Sequence, residues 1–242
     1  MRFAAFASRN SKELLRDPLS LIFCIGLPLF LLVLVVVVNR NLPPVEIFKI
    51  ENFAPGTAVF GFSFLTLFSG MLIGQDRSTS FLTRLFASPL TGSDYILGYS
   101  LPLLPIALLQ SVIFFVVAFF LGLPVTVHVL TTLLVLIPAA VLFIGFGLLF
   151  GSIFTDKQVG GFFSVFVWLE VFVSGMWLPL DMVGGALKTI AYVLPFVHAV
   201  DAAKAALAGE YSLIFPHLLW VIGYAVIVFI IAVWAFRKKM KG

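Results

Sequence analysis

The sequence predicts an all-α membrane protein, a single domain of residues 1–242 with six transmembrane helices. Each of six long apolar runs approaches or exceeds the roughly 20 residues that a helix needs to cross the hydrocarbon core. Hydrophobic residues make up 62% of the chain and charged residues 11%, and the mean hydropathy is +1.16. A soluble domain of this size could not bury so much apolar surface. The runs occupy residues 19–38, 57–74, 102–121, 129–154, 159–179 and 217–236.

The segment before the first run alternates apolar and basic residues, which predicts an amphipathic helix on the cytoplasmic membrane surface. A solvated basic anchor is the alternative. No small-residue cleavage pattern follows the first run, so we expect it to remain as the first span and not to be removed as a signal peptide. The apolar residues of the predicted helix are Phe3, Phe6, Leu14 and Leu15, and Arg9, Lys12 and Arg16 are expected to face water.

Small residues in the second and fourth spans predict close helix packing. Gly70 and Gly74 form a small-xxx-small pair in span two, and Gly145, Gly147 and Gly151 lie in span four. Residues of this size allow the backbones of membrane helices to approach each other.

The loop 75–100 contains one predicted helix, followed by a break at Ser88-Pro89 and the start of a second helix with Ser93 as its N-cap. The first helix has one apolar face, because its apolar residues recur at helical spacing. Such a helix at the end of a bundle could bind a soluble partner, or it could be a connector on the membrane surface. The apolar face consists of Phe81, Leu82, Leu85 and Phe86.

Residues 180–216 stay apolar but are interrupted at Pro195, and neither half is long enough to span. Two short helices dipping into the outer leaflet would bury both halves. The sequence therefore predicts re-entrant outer helices between spans five and six.

Basic residues predict the orientation. Of the 15 Lys and Arg residues, eleven lie in the N-terminal segment, the loops after spans two and four, and the C-terminal tail; the other loops hold four. Positive residues stay in the cytoplasm, so both termini are predicted to be cytoplasmic. The net charge of +4 reflects this asymmetry and does not indicate nucleic-acid binding.

One charged residue interrupts a span. Glu170 lies within the fifth run, where a charge at the helix centre costs about 2.5–3.5 kcal/mol even on a lenient scale. It is expected either to line or gate a substrate route, or to make an interhelical hydrogen bond that fixes packing.

Other chemistry is absent from the sequence. There is no G-x-x-x-x-G-K-[ST] motif for ATP, and the three histidines, His128, His198 and His217, do not have metal-ligand spacing. Cys24 has no partner for a disulfide and is expected to be a small apolar filler. We therefore expect no catalytic residues, no metal and no cofactor in this chain.

Four stretches resemble the membrane subunits of type-2 ATP-binding-cassette exporters, over essentially the whole chain. Asp76-Arg77 matches the family's acidic-Arg-acidic-x-Gly pattern, from which Thr79 and Ser80 depart. The stretches are 15–18, 53–56, 75–80 with 84–90 and 97–98, and 173–180 with 192–196 and 199–202.

The resemblance implies that the chain pairs with a second copy or a homologous permease to enclose a substrate pathway. Two cytoplasmic ATPase subunits, which bind ATP and Mg, would drive it from below. The likeness is greatest to the antibiotic and multidrug branch, in the plasma membrane of a prokaryote, with lipid around the spans. The implied residues that couple to the ATPase are Asp76, Arg77, Phe81, Arg84, Leu85 and Phe86. The candidates for the pathway or its gate are Glu170, Trp168, Trp177 and Pro195.

Three alternatives remain open at this point. The first is an exporter of polysaccharide, teichoic acid or a lipid-linked polymer. The second is an intramembrane enzyme that uses Glu170 as acid or base, which requires a second polar partner at similar depth. The third is an energy-independent channel or carrier, for which paired broken helices would be expected.

Overall fold

The computed structural model describes residues 2–79, 81 and 91–240, and the regular elements in these residues are helical. Twelve α-helices are found in this part of the chain, with a 3₁₀ helix at Glu46–Phe48. The α-helices are α1 (Arg2–Leu15), α2 (Pro18–Asn41), α3 (Ile50–Gly61), α4 (Ser63–Ser78), α5 (Gly92–Ser100), α6 (Leu103–Phe120), α7 (His128–Ile153), α8 (Asp156–Val173), α9 (Leu180–Val183), α10 (Gly185–Val193), α11 (Pro195–Ala208) and α12 (Tyr211–Met240).

Five helical segments in the described residues are long and apolar enough to cross a membrane. They correspond to predicted spans one, two, three, four and six, and most extend beyond the apolar run because the helix continues into its polar ends. A sixth candidate exists only if the bent pair α10 and α11 counts as one span. The five are Pro18–Asn41, Ile50–Ser78, Asp94–Phe120, His128–Ile153 and Tyr211–Lys238.

Predicted span five, 159–179, is built differently. Helix α8 begins at Asp156 and ends at Val173, and residues 174–179 that follow are not helical. With Asp156, Lys157 and Glu170 it carries three charged residues in 18, so it is not among the five apolar candidates. Six crossings therefore remain an expectation.

Predicted span two is one segment made of two helices. Helix α3 ends at Gly61, Phe62 forms a turn, and α4 begins at Ser63. A side chain at Gly61 would collide with the amide of Gln110 on α6. Glycine at this position therefore leaves room for the Gln110 amide beside the break.

The segment after α8 contains two helices that meet at a sharp angle. Helices α10 and α11 are bent by 82°, and Leu194 between them is extended because Pro195 follows it. This bend agrees with the two short helices predicted for 180–208. A broken span and a re-entrant loop share this geometry, so the re-entrant assignment stays a prediction.

Helix α1 forms where it was predicted, but its faces differ from the expectation. Phe6 and Leu14 are buried, whereas Leu15 is 65% exposed. Arg9, which was predicted to face water, instead binds the Asp76 carboxylate through its guanidinium. The helix packs mainly on α5 and is linked to α4 through Asp76, so protein contacts decide which face is covered. Its position on a membrane surface remains a prediction.

The loop helix predicted around residues 80–87 falls largely outside the described residues. Beyond it, the predicted N-cap was wrong: Thr91 and not Ser93 caps α5. The Thr91 Oγ1 accepts a hydrogen bond from the Asp94 backbone N–H, and the Asp94 carboxylate accepts one from the Thr91 N–H. This capping box satisfies two backbone donors at once, which an isolated Ser93 could not do.

The predicted glycine packing joins α4 to α7 and to the start of α8. A Cβ added at Gly151 would lie 2.7 Å from the Gly70 carbonyl oxygen, and one at Gly74 would lie 2.7 Å from the Asp156 backbone nitrogen. At Gly147 it would meet the Thr66 carbonyl oxygen at 2.6 Å. The backbones of these helices thus touch, as small residues at membrane-helix interfaces allow.

Residues predicted to be cytoplasmic and residues predicted to be external lie at opposite ends of the bundle. Both chain ends meet at α5, because the Tyr95 ring contacts Phe6 of α1 and Phe236 of α12, at centroid distances of 5.8 and 5.5 Å. We call this the junction end. At the opposite end, Arg40 donates to the Leu121 carbonyl and Lys204 to the Gly175 carbonyl. Residues predicted to be cytoplasmic and external are thus separated.

Candidate functional site

At the junction end, Asp76 connects three helices. Its carboxylate accepts two hydrogen bonds from the Arg9 guanidinium of α1, at 2.6 and 2.9 Å, and one from the Tyr99 hydroxyl of α5, at 2.9 Å. Asp76 is 4% exposed. Bidentate arginine–carboxylate pairs fix both distance and orientation, so α1, α4 and α5 are held in one arrangement.

The Arg9 guanidinium keeps its charge in this arrangement. Partial burial lowers its pKa, but the hydrogen bond and charge of Asp76, helped by Glu13, raise the pKa by more, so the net shift is upward. Glu13, one turn along α1, pairs with Arg9 at 2.6 Å and is much more exposed than Asp76. Arg9 therefore has one buried and one exposed partner.

Aromatic contacts reinforce the same junction. The Phe6 ring of α1 lies 4.9 Å from the Tyr99 ring and covers Gly98 so closely that a side chain there would collide with it. The Asn10 amide donates to the Gly98 carbonyl at 3.0 Å. The Arg9 guanidinium also lies 4.2 Å from the centre of the Phe81 ring, in a cation–π contact.

The neighbouring Arg77 connects α4 to α7. Its guanidinium donates to the carbonyls of Gly151 and Ser152, at 2.8 and 2.6 Å, and more weakly to that of Phe154 at 3.4 Å. The last carbonyls of a helix have no partner within it, and a cation there is favourable. Two adjacent residues at the end of α4 thus link four helices.

The predicted coupling residues are only partly visible. Asp76 and Phe81 are brought together through Arg9, while Arg77 turns to α7. Arg84, Leu85 and Phe86 lie outside the described residues. Sequence reasoning missed Arg9 and Tyr99 as partners of Asp76, because a basic residue on a predicted amphipathic helix was expected to face water.

The Glu170 carboxylate is buried between α8 and α4. It is 1% exposed and accepts a hydrogen bond from the Ser63 hydroxyl, just after the break in span two. On the other side of this break, the Cys24 thiol donates to the Gln110 amide oxygen at 3.1 Å. Hydrogen-bonded polar pairs therefore lie on both sides of the break at Phe62. Cys24 belongs to one of these pairs and is not only the apolar filler that was predicted.

The hydrogen-bond partner of Glu170 is Ser63 and not one of the remaining pathway candidates. Trp168 is 61% exposed and stacks on Phe172 along the outer face of α8. Trp177 lies in the non-helical stretch after α8, and Pro195 begins α11 as a buried residue. The four candidates thus lie on α8, in the stretch after it and at the start of α11.

Trp177 belongs to an aromatic cluster away from the junction end. Its ring is 5.2 Å from that of Phe53 on α3 and 6.1 Å from that of Phe48. A side chain at Gly56 would meet Met176, with the Cβ 2.7 Å from its Cγ. Residues 53–56 and 173–180, two of the stretches that carry the resemblance, therefore pack against each other. This contact could not be read from the sequence.

Two of the three histidines, far apart in sequence, meet in space. The Nδ1 atoms of His198 and His217 are 2.8 Å apart, and the His198 Nε2 is 3.0 Å from the Tyr192 carbonyl oxygen. A carbonyl oxygen only accepts, so the His198 Nε2 donates to it, and in a neutral ring the His198 Nδ1 then accepts from His217. Within the described part of the chain, no group of three or more His, Cys, Asp or Glu residues could hold a metal ion. The pair connects α11 to α12.

The model of the ABC-2 type transporter family matches residues 1–208, from α1 through α11, and so includes both Asp76 and Glu170. No curated protein matches the chain. Members of this family are transport permeases, generally without an ATP site of their own, and work with an ATPase partner. The chain therefore belongs to the ABC-2 type transporter family and is a membrane permease subunit of an ATP-binding-cassette exporter.

Proposed function

We propose that the protein pairs with a second permease, either another copy or a homologue, and exports a drug-like or hydrophobic compound. Two cytoplasmic ATPase subunits bind ATP and Mg, and their movement reaches the permease at the junction end. Both termini are cytoplasmic in this proposal, and α10 and α11 form the re-entrant outer closure. The cell is a prokaryote and the membrane its plasma membrane.

The coupling role is supported chiefly by the hydrogen bonds that Asp76 and Arg77 make to neighbouring helices. A permease without an ATP site is driven only if the partner's nucleotide states press differently on its conformations. Side chains that join α1, α5 and α7 to the end of α4 would turn a push on one helix into a movement of several, since packed helices move as rigid bodies. This supports a coupling role for the adjoining loop.

The proposed route for the movement follows α4 to the break at Phe62. Beyond the break lies α3, whose Phe53 contacts Trp177. Glu170 binds Ser63 at the first residue of α4, where movement of α4 relative to α8 would change the hydrogen bond. We infer that Glu170 senses or gates this movement, and that the Trp177 cluster belongs to the outer closure.

The direct test is purification of the tagged protein from its native membrane, followed by an ATPase assay. We expect an ATPase subunit to copurify and to show vanadate-sensitive turnover. Compounds that stimulate this turnover would identify the cargo class. A folded preparation without an ATPase would contradict the proposed mechanism.

The Glu170→Gln variant is expected to assemble normally but to alter transport or cargo stimulation of the ATPase. The amide oxygen of glutamine can still accept the Ser63 hydrogen bond, while the ionisable proton is lost. Transport in membrane vesicles and ATPase turnover are the measurements. Ser63→Ala is the matched variant, because it removes the hydrogen bond and keeps the carboxyl. Normal transport and turnover in Glu170→Gln would reduce Glu170 to a packing residue.

The Phe86→Asp variant tests the loop helix implied by the resemblance. A charge on the predicted apolar face is expected to weaken ATPase binding or to uncouple ATP hydrolysis from transport. Copurification and cargo-stimulated turnover are measured together. Normal values of both would remove Phe86 from the coupling surface.

A polymer exporter is the second candidate, because polysaccharide and teichoic-acid permeases share much of the sequence pattern. The stimulation assay separates the two: lipid-linked polymer, and not drug-like compounds, would then raise turnover. The intramembrane-enzyme alternative has a hydroxyl partner in Ser63 for Glu170, and would predict product formation without any ATPase.

A further inference from the structure

An apolar groove lies on the surface of the bundle between α5, α6, α7 and α12. Its volume is about 610 Å³. Ser100 is the one polar side chain among the described residues that line it, and its hydroxyl already donates to the Ile96 carbonyl at 2.7 Å. The wall includes Leu101, Pro138, Ala225, Val226, Phe229 and Ile230.

The groove is open to the surroundings of the bundle. Val226 is 53% exposed and Ile230 is 62% exposed, and both lie on the membrane-spanning segment Tyr211–Lys238. At this position the surroundings are hydrocarbon and not water, so an open apolar groove contacts acyl chains.

A basic residue of α12, Arg237, lies on the same helix face as the groove. Arg237 lies eleven residues after Val226 and seven after Ile230. At 3.6 residues per turn, its angular position lies between these two residues, about 20° from each. It is about 10 Å beyond Ile230 along the helix axis. Side chains lean toward the N-terminus of their helix, so the Arg237 stem leans toward the groove.

Helix α5, which forms one wall of the groove, also meets α12 next to Arg237. The Phe236 ring packs on Tyr95 of α5, at a centroid distance of 5.5 Å, so α12 and α5 come together at the residue before Arg237. Arg237 is exposed, and no ion pair links it to another described residue. Its charge is free to meet a ligand at the membrane surface.

We propose that this groove is a binding site for an anionic phospholipid. One acyl chain fills the groove, and Arg237 binds the headgroup phosphate. Arginine matches phosphate geometry well, and basic residues at the ends of membrane helices attract anionic headgroups. The proposal goes beyond export, because the site faces the bilayer and needs neither cargo nor ATPase.

The same helix provides a matched control. Lys238 lies on another face, in line with Ile227 and Ile231, which do not line the groove. Its ammonium lies 5.1 Å from the centre of the Trp234 ring. Lys238 thus has the same charge at the same depth, without a groove beneath it.

Native mass spectrometry of the purified full-length protein can test the site, with phosphatidylglycerol and phosphatidylcholine of identical chains as probes. Arg237→Gln is expected to reduce retention of phosphatidylglycerol about fivefold, the effect of one interfacial cation on an anionic lipid. Retention of phosphatidylcholine should stay unchanged. Lys238→Gln should retain both lipids as the unmodified protein does. Equal losses in Arg237→Gln and Lys238→Gln would indicate diffuse surface charge and overturn the site.

A second pair of variants tests the groove itself. Val226→Trp should fill it and lower phosphatidylglycerol retention to the Arg237→Gln level, whereas Ile227→Trp on the neighbouring face should not. Both positions are exposed, so neither change disturbs the packed interior. Unchanged lipid retention in Val226→Trp would overturn the proposal. If that variant instead altered only the oligomeric state, the groove would be an interface between protein chains.

Discussion

The Asp76→Asn variant is expected to lose most of the cargo stimulation of its partner ATPase, by about tenfold, the size of a typical coupling free energy between two sites. Asparagine keeps an oxygen for the Tyr99 hydroxyl but has no charge for Arg9. Hydrogen bonds to charged groups contribute about 1.5–3 kcal/mol, and the partial exposure of Arg9 places the loss of stability at the lower end. Stimulated turnover and the thermal midpoint are the measurements.

Glu13→Gln is the control for this variant. Both carboxylates pair with Arg9 at 2.6 Å, but the Glu13 side chain is 41% exposed and that of Asp76 is 5% exposed. An exposed i,i+4 pair contributes about 0.3–0.5 kcal/mol, so Glu13→Gln should behave nearly as the unmodified protein. If Asp76→Asn kept full stimulation, the junction would be a static support and would not transmit movement.

The Gly147→Ala variant is expected to destabilise the folded protein strongly. The added methyl group would meet the Ser69 hydroxyl and lie 2.6 Å from the Thr66 carbonyl oxygen. The carbonyl is backbone, and the hydroxyl is held by the Leu65 carbonyl at 2.6 Å, so neither moves aside easily. Overpacking of this kind costs about 1–3 kcal/mol, occasionally more. We expect a lower thermal midpoint and less monodisperse protein in detergent.

Gly223→Ala, in α12, is the control that distinguishes a steric clash from the effect of replacing a glycine within a helix. A Cβ at Gly223 has nothing within 4 Å, so alanine there should be neutral or stabilise the helix by about 0.5–1 kcal/mol. A drop in the thermal midpoint of equal size in both variants would mean that loss of glycine itself, and not the contact between α4 and α7, is responsible.

The spans could be predicted well because hydropathy is local. Residues 19–38, 102–121 and 129–154 each became a helix within a few residues of the expected bounds. The prediction that the fifth run spans the membrane was less certain. Helix α8 carries the charged residues Asp156, Lys157 and Glu170, and it ends at Val173. In span two, the break at Phe62 was not predicted, because the apolar run continues through it from residue 57 to residue 74.

Only some residues of the candidate site could be predicted from the sequence. Asp76 and Arg77 could be selected because the resemblance to a family marks them. Arg9 and Ser63 could not, since each is an ordinary residue type for its segment. A periodic pattern gives the face of a helix but not the neighbour that covers it.

Local sequence was enough to identify a membrane protein, to place most of its helices and to mark glycines that permit close packing. These properties depend on composition and spacing over about 20 residues. Which polar groups pair, in contrast, depends on the tertiary structure. Arg9 and Asp76 are 67 residues apart, and Ser63 and Glu170 are 107 apart. Such pairs form because the rotation and register of packed helices bring them together, and that arrangement depends on all the helices at once.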